Sequence, residues 1–230
     1  MSEPRYVHRL LDAVLVDLVA DLPAVLLTGP RASGKTTTAE RHARTVIRLD
    51  RPDQAAVVAA DPDAALAGRR PPILIDEWQV EPSVLGAVKR AVDQDPSPGK
   101  FLITGSVRAE TDAKLWPGTG RFVHLPLHGL TTRERVGAIE QPGLVDRIVE
   151  GGIDAVEQPG DPLDLRGYVR ELLVSGFPQP AVHLPAARRE LWLSSYLEQV
   201  VTRDAGQVAP GRDPHRLGRF LEVLAIHTAG

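Results

Sequence analysis

Residues Gly29-Pro30-Arg31-Ala32-Ser33-Gly34-Lys35-Thr36 have the spacing G-x-x-x-x-G-K-[ST], with Thr37 next in line. That pattern has a physical purpose. The glycines let the backbone curl so that successive N–H groups converge on a phosphate, and the helix that follows adds its partial positive charge. Lys35 would reach the β- and γ-phosphates of a nucleotide, the Thr36 hydroxyl would ligate Mg²⁺, and Arg31 brings a further cation to the loop. Downstream, Ile73-Leu74-Ile75 runs into Asp76 and Glu77. A carboxylate delivered by a buried strand beside the loop would hold Mg²⁺, which assigns Asp76, and its neighbour Glu77 would polarise an attacking water as general base. A third stretch, Phe101-Leu102-Ile103-Thr104-Gly105-Ser106, ends in small hydroxyl residues that would orient the water and report the state of the nucleotide.

Such chemistry needs elements to carry it. The short apolar run Ala24–Leu27, introduced by Pro23, has the composition of a strand buried on both faces, as parallel sheets require. Four further strand signals follow: Thr45–Ile47, Ile73–Ile75 after Pro71-Pro72, Phe101–Ile103, and Phe122–Leu125. Between them lie helical patterns from Gly34 to about Ala43, around Asp53–Ala60 and Asp63–Gly68, and over Ser83–Gln94. An amphipathic helix over Arg9–Ala20, with Leu10, Leu11, Val14, Leu15, Leu18 and Val19 as its apolar stripe, precedes the first strand. Strands alternating with helices at this spacing predict an α/β fold, a P-loop NTPase core with a mostly parallel five-stranded sheet. After it the chain reads as a small all-α region, with helices over Leu165–Val174, Ala186–Thr202 and Pro214–His227.

Composition bounds the function. With 230 residues, 43% of them hydrophobic and 25% charged, the chain is long enough for one large core and a smaller second one. It has no cysteine, which excludes disulfides and thiolate metal sites and fits a cytoplasmic setting. No run approaches the ~20 apolar residues that span a bilayer, so no membrane role is expected. A net charge of −3 withholds the basic footprint of a dedicated nucleic-acid binder. The imbalance is local: residues 136–164 hold seven acidic residues and one basic, against 17 and 18 in residues 1–135 and six and eight in 165–230. The expected organisation is therefore an ATPase core over 1–135, an acidic linker or insertion over 136–164, and a helical region over 165–230. The seven histidines are scattered and read as surface or core residues, and Trp78 reads as an aromatic covering a strand end.

Taken in order, GPRASGKTT, ILIDEWQ, FLITGSVR, GTGR and FVHLPLHGLTTRE resemble the AAA-type ATPases of bacteria and archaea, in particular a family whose ATPase module precedes a restriction-nuclease-like domain. The resemblance runs from about Leu10 to at least Asp204 and includes Ser175–Pro178 and Tyr196–Asp204. It implies that Ser106 is the sensor residue after the fourth strand, with Thr104 as second candidate. It also implies that Arg121, just before the fifth strand, is an arginine finger inserted into a neighbouring subunit's site, and hence a homo-oligomer or a partner protein. DNA as a partner follows from the resemblance alone. No nuclease activity carries over, because no carboxylate and lysine cluster for it can be identified after Thr202, and the chain stops at Gly230. The expected function is Mg-dependent ATP hydrolysis coupled to movement of the helical region or a partner. Two alternatives are a nucleotide-dependent switch with negligible turnover and a small-molecule kinase sharing the P-loop.

Overall fold

The structure, a computed structural model, describes residues 6–106, 120–153, 163–204 and 213–227. Helix α1 (Leu11–Asp21) leads into β1 (Ala24–Gly29), followed by α2 (Lys35–Glu40), β2 (Thr45–Arg48), α3 (Pro52–Ala60), α4 (Pro62–Leu66) and β3 (Ile73–Asp76). A single 3-10 turn, Trp78–Val80, then precedes α5 (Ser83–Gln94), β4 (Phe101–Ser106), β5 (Val123–Pro126), α6 (Thr132–Val136), α7 (Leu144–Gly151) and α8 (Leu165–Leu172). The five strands form one sheet in the order β2-β3-β4-β1-β5, and every neighbouring pair is parallel. The expected α/β architecture is therefore present, and the sheet is wholly parallel.

All six residues of β1 are buried, because helices cover both faces of the sheet. Alternation along the strand sorts its side chains between two cores. Ala24 and Leu26 join Ile73, Ile75, Phe101 and Ile103 beneath α3, α4 and α5, while Val25 and Leu27 meet Leu74, Leu102, Leu15 of α1 and Ala39 of α2 on the other side. Val84, Leu85, Val88 and Val92 of α5 are all buried in the first core. At ~1.5–3 kcal/mol per side chain they contribute on the order of 6–12 kcal/mol, an upper figure because an unfolded chain hides some of this area.

Two of the expected helices differ in detail. Only Leu15 of the α1 stripe is fully buried, with Leu11, Leu18 and Val19 packed partly against the sheet, while Leu10 and Val14 face outwards. A face repeating every three to four residues meets the sheet, and the positions one residue earlier fall off it. The α2 helix ends at Glu40, and the i to i+3 bonds His42 N to Ala39 O and Ala43 N to Glu40 O tighten the chain into the turn before β2.

The chain divides into two compact units, Met1–Pro178 and Gln179–Gly230. Helix α7 lies inside the acidic stretch; the remainder of that stretch over 154–162 falls outside the described residues. The second unit is helical as expected but less regular. A π-helical turn, Gln179–His183, opens it, and α9 (Ala186–Gln199) runs into another, Val200–Asp204, before the helix Pro214–His227. Within it Trp192 and Tyr196 stack with ring centroids 5.3 Å apart.

Candidate functional site

The neighbouring strands β1 and β4 send the chain in opposite directions across the sheet. From β1 it moves towards β2 on one side, and from β4 it passes β1 to reach β5 on the other. The carboxyl ends of two such strands form a crevice, the usual ligand position in open parallel sheets. The Gly29–Thr36 segment occupies that place.

Its shape depends on absent side chains. A Cβ on Gly29 would lie 2.1 Å from the main-chain oxygen of Leu127, the residue leaving β5, so only glycine lets the two segments pass. Ala32 (φ 60°) and Gly34 (φ 99°) take left-handed backbone, which turns the loop back onto the start of α2. Pro30, Arg31 and Ala32 form its exposed crest and Thr37 is exposed on α2, whereas Ser33 and Lys35 are buried. The Lys35 ammonium donates to the carbonyl oxygens of Gly29 (3.1 Å) and Pro30 (2.8 Å). Burial pushes its pKa below the ordinary 10.5, and the nearby charges of Glu77 and Asp76 offset only part of that fall.

Asp76, at the end of β3, is 3% exposed and accepts two hydroxyl protons on one oxygen, from Thr36 at 2.7 Å and Thr104 at 2.5 Å. Because β4 lies between β3 and β1, it presents Thr104 to Asp76, and the loop brings Thr36 from above. Ser106 pairs with Gly29 across the sheet, so its backbone borders the loop, but its side chain falls outside the described residues. So do Val107, Arg108, Gly118 and Thr119 of the sequence motifs. Glu77 adopts left-handed backbone (φ 57°, ψ 47°), and its carboxylate accepts a hydrogen bond from the Gln79 amide. Trp78 is fully buried, as expected for an aromatic covering a strand end; a Cβ on Gly105 would lie 2.5 Å from its Cδ1.

Arg121 is placed elsewhere. Val25 pairs with Val123 in the parallel register, so Arg121 lies level with Pro23, about six residues or ~20 Å of strand from Gly29. There it donates to Asp93 of α5 at 2.9 Å.

Sequence reading missed a cluster on the far side of the loop. The buried Arg9 guanidinium donates from Nε to Glu134 (3.1 Å), from Nη1 to the Ser33 carbonyl (3.0 Å) and from Nη2 to the His128 carbonyl (2.7 Å). The Glu134 carboxylate also accepts from the main-chain N–H of Leu10 (2.8 Å) and of Thr131 (2.7 Å). Burial alone would push its pKa up, but the Thr131 and Leu10 amides and the Arg9 charge outweigh it and hold the carboxyl below its ordinary 4.5. The spacing Thr131-x-x-Glu134 is a legible capping box, which gave a local signal for Glu134. Nothing local pointed to Arg9, 125 residues away in sequence. Tyr6 lies nearby, its hydroxyl donating to Asp12 (2.7 Å) and 3.2 Å from Thr38 of α2; burial pushes its pKa up to about 12.

The residues present suit a phosphate chain and a hard cation. Lys35 is held by neutral carbonyls, which phosphate oxygens would outcompete, and the buried Ser33 hydroxyl has no hydrogen-bond partner among the described residues. The Thr36 hydroxyl and Asp76 carboxylate offer oxygen donors of the kind Mg²⁺ prefers. Among the described residues no cluster of three or more His, Cys, Asp or Glu offers a competing metal site.

Sheet order, loop and strand-end carboxylates together define a P-loop nucleoside triphosphatase core. Residues 21–136, just over half of the chain, match an AAA domain family, and the chain belongs to it. Residues 165–230 match a domain of unknown function, DUF8612. The uncharacterized proteins Rv2008c of Mycobacterium tuberculosis and Mb2031c of Mycobacterium bovis are each 33% identical over 180 residues, 74% of this chain. The chain spans 40% of the length of these relatives. The Walker-type ATPase PABY2304 of Pyrococcus abyssi superposes with a TM-score of 0.43 and 13% identity, over 86% of this chain and 73% of that one. No helix among the described residues is long and apolar enough to cross a membrane.

Proposed function

We propose that the chain is a cytoplasmic ATPase that binds Mg-ATP on residues 29–37 and hydrolyses it with Glu77 as general base. The observation that carries this reading is the convergence of Lys35, Thr36, Asp76 and Thr104, with the Thr36 hydroxyl 2.7 Å from a carboxylate 40 residues away. Loop amides and Lys35 take the phosphates; Thr36 and Asp76 hold the metal, which when bound neutralises charge on the phosphates. Glu77, one residue beyond Asp76, accepts a proton from the attacking water, and Thr104 and Ser106 orient the groups around it.

In this reading Arg121 completes a neighbouring subunit's site, since its own chain's loop lies ~20 Å away along the sheet. The helical region 165–230 receives the change of nucleotide state. A slower, switch-like cycle is the second reading, favoured by the Glu77–Gln79 bond, which must open before Glu77 can engage water.

Titration calorimetry with Mg-ATP, paired with a phosphate-release assay, tests both. The parent is expected to bind and to turn over; Lys35→Ala loses binding; Glu77→Gln binds but loses turnover. A parent that binds yet releases no phosphate above the Glu77→Gln background favours the switch, and a folded parent with no heat of binding removes the proposal.

A further inference from the structure

Arg9 stands outside every motif, yet its guanidinium touches the phosphate loop directly. Its Nη1 donates to the Ser33 carbonyl at 3.0 Å, and a Cβ on Gly34 would lie 3.6 Å from that same nitrogen. The peptide joining Ser33 to Gly34 is planar and trans, so its C=O and N–H point in opposite directions. Holding the Ser33 oxygen against Arg9 on one side therefore aims the Gly34 N–H to the other, into the cradle. We infer that Arg9 is a positioning residue for nucleotide binding: it presets the Ser33–Gly34 peptide so that the loop amide faces the phosphates before the nucleotide arrives.

The rest of the cluster makes Arg9 suited to this. Arginine offers a rigid fork of five donors, and here each of its three nitrogens makes a hydrogen bond, to Glu134, Ser33 and His128. Glu134 neutralises the cation and is itself held by the Thr131 and Leu10 amides, so the guanidinium has little freedom to swing. The cluster ties the chain before α1, the loop, and the β5 exit into one frame. A preorganised donor costs nothing to orient when the ligand binds, and the gain appears as affinity rather than as rate.

The inference rests on the nucleotide-binding reading, and the test separates the two. Arg9→Lys keeps a charge for Glu134, but a point ammonium does not span the fork to both carbonyls. Losing a hydrogen bond from a charged donor corresponds to about a tenfold or greater rise in Kd, expected equally for Mg-ATP and Mg-ADP because the loop amides serve phosphates that both possess. The kcat at saturation should stay within about threefold of the parent, since the lost interaction is common to ground and transition states. Val88→Ala, in the core on the α5 side of the sheet, serves as a destabilised control with parental affinity. If Arg9→Lys does not fold, Glu134→Gln is the second variant, and its Kd should rise in the same way for both nucleotides.

Unchanged affinity in a folded variant overturns the inference and leaves the ATPase reading standing. So does a loss matched by Val88→Ala, or one confined to kcat. A folded parent that binds neither nucleotide overturns both.

Discussion

Lys35 is the residue on which local physics and chemistry meet most directly. Burial disfavours its charge, two carboxylates offset part of that penalty, and loop carbonyls hold it in place. Asp76 and Glu77 are adjacent in sequence yet differently disposed. Asp76 is buried and bonded by two hydroxyls, whereas Glu77 sits in left-handed backbone with its carboxylate on Gln79. The expected consequence is a separation of roles. Glu77→Gln should retain Mg-ATP affinity and lose on the order of 10²–10⁴ of the turnover, read by phosphate release. Gly29 is constrained by space: its missing Cβ would meet a main-chain oxygen, and the Leu127 N–H bond to Thr28 (2.7 Å) keeps that oxygen from retreating. Gly29→Ala should therefore lower the urea unfolding free energy by about 1–3 kcal/mol or more.

At the scale of elements, β4 and α5 matter most. Inserting β4 between β1 and β3 places Thr104 against Asp76, and α5 holds that half of the sheet through a continuous apolar face. Leu85→Ala, at a fully buried position, should cost about 2–5 kcal/mol in chemical denaturation. The α6 capping box has a second consequence through Glu134. Its folded pKa lies below 4.5, so its stabilising contribution is fully present above that value and is lost as pH falls through the lower folded one. Urea midpoints measured from about pH 6 down to about pH 3 should fall steeply in the parent and more gently in Glu134→Gln. The strands and α5 were legible because apolar runs and helical periodicity are local properties. The exposed side of α1 was not, since which of two overlapping faces is buried depends on the sheet beneath it.

For the whole molecule, the register of β5 against β1 determines what Arg121 can do. It stands at the end of the sheet away from the loop and pairs with Asp93, so the proposed finger role would place it in a site other than that of its own chain. Turnover per subunit should then rise with protein concentration in the parent, while Arg121→Ala stays low and flat; equal, concentration-independent curves would remove the trans finger. Beyond residue 178 the apolar face of the last helix, with Phe220, Val223, Leu224 and Ile226 exposed, belongs to a unit whose matching family has no assigned function. The relatives extend well past the length spanned here, which leaves their whole activity a separate question from that of the core.

Sequence alone determined the loop, the carboxylate pair and the α/β alternation, because each is written in contiguous residues whose chemistry or periodicity is local. Tertiary structure decided the strand order, the meeting of Thr36 and Thr104 on one carboxylate oxygen, the distance of Arg121, and the seating of Arg9 on the loop. Those depend on which distant segments lie side by side. Chain folding sets that through burial and register, and a one-dimensional reading carries neither.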